Sequence, residues 1–152
     1  MWVTGTTRDW GGTSRSSRLR TRRACSALRR GIGITVFRSM LRYIREEGLS
    51  YRVALVFSSR DRESTAFLDE LQGLEQEISN FRLILTMTQD PGWAGETRKI
   101  DSRFFRDYLG EDVNENTFLV AGPPAMVEGV QEALEEAGVE AENVIAERYS
   151  GY

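Results

Sequence analysis

The chain has 152 residues, 40% hydrophobic and 28% charged, with one cysteine and no histidine. That length supports one domain with its own core. The missing histidines exclude a Ser-His-Asp triad and the usual zinc sites, and the lone Cys25 excludes an internal disulfide and fits a reducing, cytoplasmic setting.

The net charge of −3 hides a division. Residues 1–30 hold eight arginines and one acid, a net of +7, while the remainder holds 12 basic and 22 acidic residues, a net of −10. No apolar run reaches the roughly 18 residues of a membrane span, and no apolar stretch follows the first arginines as in a secretory signal. Residues 1–30 are rich in Arg, Ser, Thr and Gly and carry no helical or strand period. Three readings of them stand side by side: a basic disordered arm for an acidic partner or nucleic acid, a solvated tail without a role, or a stretch translated out of frame. The −10 charge of the remainder speaks against nucleic acid.

The regular chain starts at Gly31-Ile32-Gly33-Ile34-Thr35. Glycines let a backbone approach an anion closely, and a helix start offers unpaired N–H groups to it; the same pattern also makes a plain tight turn. A helix is expected over about 35–47, with Phe37, Met40, Leu41 and Ile44 on one face and Gly48 as its C-cap. Tyr51 to Phe57 is a β-branched and aromatic run, hence a strand. A polar loop, 58–63, follows. Ser64 is expected to cap a second helix that buries Phe67, Leu68, Leu71 and Leu74. Phe81 to Met87 reads as a strand and Thr88 to Lys99 as a loop around Pro91, Trp93 and Gly95. A short helix opens at Asp101 or Ser102 with Phe104, Phe105, Tyr108 and Leu109. Thr117 to Ala121 is a strand ending in Gly122-Pro123-Pro124. The prolines suit the first turn of a helix from about Ala125 to Glu136, closed at Gly138, and Asn143 to Ala146 is a last short strand.

Strand and helix alternate to the end, so the expected fold is α/β, a doubly wound parallel sheet. Its ligand belongs outside the C-terminal strand ends, at residues 31–35, 58–62, 88–95 and 121–126. The alternation also calls for a strand just before Gly31. Ala24-Cys25-Ser26-Ala27-Leu28-Arg29-Arg30 stands there, and its two arginines suit a buried strand poorly. The domain plan is therefore an arm over 1–30 and one nucleotide-binding domain over 31–152.

Gly31-Ile32-Gly33-Ile34-Thr35, Ser58-Ser59-Arg60 and Ala121-Gly122-Pro123-Pro124-Ala125-Met126 together resemble the nicotinamide-binding domain of the ferredoxin–NADP reductase family, over about residues 31–152. The resemblance implies hydride transfer between NADPH or NADH and FAD, the cofactors doing the chemistry and the protein orienting them. It places Gly31, Gly33, Ile34 and Thr35 along the pyrophosphate and nicotinamide. Ser58, Ser59 and Arg60 fall at the adenosine ribose, where an arginine can pair with a 2′-phosphate and favours NADPH; Arg62 is a second candidate there. Gly122, Pro123 and Met126 wall the nicotinamide. Thr35 and Tyr152 are the residues nearest the reacting rings, Tyr152 as an aromatic cover for the flavin. Trp93 reads better as a core anchor than as part of the site.

Three positions depart from the family pattern. Arg30 stands for its first glycine, Val36 for the proline after Thr35, and Ala121 for a cysteine near the hydride path. The flavin barrel that precedes this domain in the family is not encoded in residues 1–30, so FAD is expected from a flavin domain lost in cis or supplied in trans. The redox partner is left open. The other reading is a non-catalytic nucleotide-binding or regulatory protein that uses the basic arm for a partner.

Overall fold

A computed structural model describes residues 33–109 and 113–149. The arm 1–30, Gly31 and Tyr152 lie outside the described residues. The described chain alternates as expected: α1 (Gly33–Glu46), β1 (Val53–Ser59), α2 (Leu68–Glu77), β2 (Phe81–Met87), α3 (Ser102–Leu109), β3 (Phe118–Gly122), α4 (Pro124–Glu136) and β4 (Val144–Arg148).

β1 and β2 pair in parallel from Val53 opposite Phe81 to Ser59 opposite Met87. β3 and β4 pair in parallel from Phe118 opposite Val144 to Gly122 opposite Arg148. Parallel neighbours need a crossover; α2 makes one between β1 and β2, and α4 makes the other. The expected sheet is thus seen, among the described residues, as two parallel pairs. The strand called for before Gly31 falls outside them. Val53 through Phe57 are all buried, the mark of a parallel strand covered on both faces. One apolar cluster joins the two pairs, running from Ile34 and Leu41 through Leu55, Leu71 and Met87 to Phe104, Phe118 and Leu134.

Two ion pairs give the relative direction of the helices. Arg38 of α1 meets Glu70 of α2 at 2.7 Å, and Arg45 meets Glu77 at 2.9 Å. Each step is seven residues on both helices, so α1 and α2 lie side by side and parallel, as successive crossovers of one hand require. α1 ends in a left-handed Gly48 (φ 61°), with Leu49 N–H donating to Ile44 O and Gly48 N–H to Arg45 O. α4 repeats the pattern at Gly138. Both glycine stops were expected.

Local details differ from the sequence reading. Ser64 does not cap α2. Its N–H donates to Asp61 Oδ1 at 2.7 Å, closing an Asx-type turn, and α2 starts four residues later behind Phe67, which sits at φ 58°. Phe67 is exposed, with the Arg38 guanidinium 4.7 Å from its ring centre. On α1 the buried stripe is Ile34, Phe37, Leu41 and Ile44, and Met40 faces outward. Asp101 does cap α3, its Oδ1 accepting the Phe104 N–H at 2.8 Å.

Candidate functional site

The C-terminal ends of β1 and β3 open into one cleft with two lobes. The larger, of about 380 Å³, is lined by Ser58, Ser59 and Arg60 after β1, by Thr88 and Gln89 after β2, and by Pro123, Ala125 and Met126 at the start of α4. The smaller, of about 250 Å³, shares Ser58, Ala125 and Met126 and adds Lys99, Ile100, Gly129 and Val130. Two segments more than sixty residues apart, Ser58-Ser59-Arg60 and Pro123 to Met126, therefore meet across a single floor, at the position that a parallel α/β sheet reserves for a ligand.

Backbone pairing holds the walls. Beyond the β1–β2 ladder, Thr88 N–H donates to Ser59 O at 3.0 Å and Gln89 N–H to Arg60 O at 2.8 Å. Arg62 then clamps the two loops, its Nε 2.8 Å from Asp90 Oδ2. This pairing lowers the Asp90 carboxyl below its usual range and raises the Arg62 guanidinium. Asp61 is lowered too, first by the Ser64 N–H, then by the Ser64 hydroxyl. The Ser59 hydroxyl is turned into its own loop, 3.0 Å from Ser64 Oγ and 3.2 Å from Asp61 O. Ser58 is half-buried and borders both lobes.

The third wall comes from the 88–99 loop. Met87 N–H donates to Glu96 O at 2.9 Å, and Thr86 Oγ1 donates to Arg98 O at 2.5 Å. Residues 96–98 thus lie along the end of β2, which delivers Lys99 to the smaller lobe. Trp93, half-buried against the core, donates its indole N–H to Glu96 O at 3.1 Å. Arg98 bridges Glu96 and Asp107 at 2.8 and 2.6 Å. Its hydrogen bonds hold the Glu96 carboxyl down at about 2, against burial that would raise it.

The lining suits an anion. Among the described residues no carboxylate borders either lobe. The first turns of α1 and α4 carry no acid, whereas α2 opens with Asp69 and Glu70; a negative ligand is favoured at the first two starts. Gly33 and Ile34 are buried in the first turn of α1 and Thr35 is exposed there. Gly122 ends β3, its carbonyl accepting the Tyr149 N–H at 2.9 Å, so the chain after β4 passes the same strand end. Ala121 is buried beside it. Residues that the motifs did not mark are Thr88, Gln89, Lys99, Ile100, Gly129 and Val130. The first two stand in a loop that topology alone picks out; Lys99, the only lysine of the chain, is signalled by nothing but its rarity. Among the described residues no group of His, Cys, Asp and Glu is placed to hold a metal, and no helix is long and apolar enough to cross a membrane.

Known proteins share this plan. Residues 28–132 match the family described as oxidoreductase NAD-binding domain. NADH-cytochrome b5 reductase 1 of Pyricularia oryzae is 29% identical over 112 residues, covering 71% of this chain and 36% of that protein. Ferredoxin–NADP reductase B of Sorangium cellulosum is 30% identical over 126 residues, covering 78% and 51%. The chain therefore spans about a third to a half of these relatives. The cytochrome b5 reductase domain of Ulva prolifera nitrate reductase superposes with a TM-score of 0.70 at 20% identity, over 83% of this chain and 49% of that one; it shares the fold.

Proposed function

The chain belongs to the oxidoreductase NAD-binding domain family, and we propose from that premise that it holds NADPH or NADH in the two-lobed cleft and presents the nicotinamide to a flavin carried by another domain or chain. The observation that carries the reading is the meeting of Ser58-Ser59-Arg60 with Pro123 to Met126 on one floor that no carboxylate of the described residues borders. Relatives named as NADH- and NADP-dependent reductases are consistent with it.

When bound, the nicotinamide supplies a hydride and the flavin accepts it. The chain's own residues bind and orient. Gly31 and Gly33 let the backbone close on the pyrophosphate at the start of α1, with Ile34 and Thr35 alongside. Arg60, which forms no salt bridge among the described residues, holds the 2′-phosphate of NADPH, and Ser58 and Ser59 border the ribose. Arg62 is committed to Asp90, so it shapes the loop rather than pairing with the ligand. Gly122, Pro123 and Met126 wall the nicotinamide, Thr35 faces it, and Tyr152 covers the flavin. No side-chain base is needed, in keeping with a chain without histidine.

A thermal melt of the whole chain with and without nucleotide tests the proposal. A ligand that binds only the folded state raises the midpoint. A midpoint raised by NADPH more than by NADH is expected. A cooperative melt that neither nucleotide moves would refute the proposal.

A further inference from the structure

We infer that Lys99 is a second cation for the 2′-phosphate end of the nucleotide, so that selection of NADPH rests on the pair Arg60 and Lys99 rather than on Arg60 alone. The inference rests on the reading of the cleft as an NAD(P)H site and assigns a residue that none of the three motifs contains.

Three observations support it. The lobes share Ser58, Ala125 and Met126 in their linings, and among the described residues the only charged side chains lining them are Arg60 in one and Lys99 in the other. The neighbouring loop cations are already engaged, Arg62 by Asp90 and Arg98 by Glu96 and Asp107, while Arg60 and Lys99 form no salt bridge among the described residues. Residues 31–152 carry 22 acids to 12 bases, yet the charged side chains that line the two lobes among the described residues are both cations. The placement of Lys99 is also built. The backbone of 96–98 is pinned to β2 through Met87 and Thr86, and Asp101 starts α3 two residues later. From that anchor an exposed, flexible ammonium can reach across the shared floor toward a phosphate that Arg60 approaches from the other side.

Calorimetric titration of the full chain with NADPH, NADH, 2′-AMP and 5′-AMP tests this, using Lys99→Gln and Lys99→Arg. Lys99 is exposed, so both variants keep the wild-type melt. Lys99→Gln is expected to weaken NADPH and 2′-AMP about fivefold, the scale of a partly exposed charge contact. NADH and 5′-AMP stay within about twofold, and Lys99→Arg restores the loss. Unchanged NADPH affinity in Lys99→Gln, or equal weakening of NADPH and NADH, would overturn the inference. A wild-type chain that binds NADH as tightly as NADPH overturns it while leaving nucleotide binding intact. A wild-type chain that binds none of the four ligands overturns both this inference and the reading of the cleft.

Discussion

Gly95 lies where the loop that carries Lys99 is tightest. A Cβ built on Gly95 would stand 2.7 Å from Trp93 Cε2 and Nε1 and 2.8 Å from Cζ2. Those distances are well inside van der Waals contact, so Gly95→Ala must push the indole aside. The displacement breaks the indole N–H bond to Glu96 O and lifts a half-buried ring from the core edge. A neutral hydrogen bond contributes about 1 kcal/mol, and partial loss of ring burial adds about another. The sum is about 2 kcal/mol, a drop of about 4–8 °C in midpoint for a chain of this size. The assay is a thermal melt of Gly95→Ala, Trp93→Leu and the double variant. Trp93→Leu removes the atoms that the new methyl would meet, so Gly95→Ala should cost almost nothing in that background. A further penalty of about 2 kcal/mol for Gly95→Ala in the Trp93→Leu background, or none for Gly95→Ala alone, would refute this account of the loop.

Other expectations follow from single contacts. Glu96 is held at about 2 in the fold against 4.5 unperturbed, so its contribution to stability is present above about pH 4.5 and is lost as pH falls toward 2; with Arg98 45% exposed, about 1 kcal/mol is expected after screening. Glu96→Gln should flatten that part of a stability–pH curve, and an unchanged curve would show the bridge to be idle. Leu55→Ala empties a fully buried position in β1 and should cost about 2–5 kcal/mol in denaturant unfolding; a cost below about 1 kcal/mol would mean that β1 is not core. Arg60→Gln should lower affinity for NADPH but not NADH, measured by calorimetry, while Arg62→Gln should leave that ratio intact because Arg62 is held by Asp90. The reverse pattern would exchange their roles.

Much of this was legible because glycine stops and apolar runs act locally. Gly48 and Gly138 end α1 and α4 as read, and the unbroken run from Val53 to Phe57 announces a doubly covered strand. The three loops were legible as a set because parallel topology brings every strand's C-terminal end to one side. What was hidden depends on partners distant in sequence. Ser64 has the chemistry of a cap, but its hydroxyl is held in its own loop by Asp61 O and Ser59 Oγ. Met40 fits the helical period of α1 yet falls outside the stripe that meets the core. Lys99 reaches the cleft only because Thr86 and Met87 capture the backbone of 96–98, a pairing no local pattern encodes. Gly31 and Tyr152, named from the motifs, lie outside the described residues.

Nucleotide binding on the floor shared by Ser58 and Met126 is tested most directly by the backbone amide shifts of the labelled full chain, followed by NMR as NADPH is added to saturation. Changes confined to Gly33–Thr35, Ser58–Arg60, Thr88–Gln89, Lys99–Ile100 and Gly122–Met126 are expected. Saturable changes centred on another face, with these five segments unmoved, would contradict it.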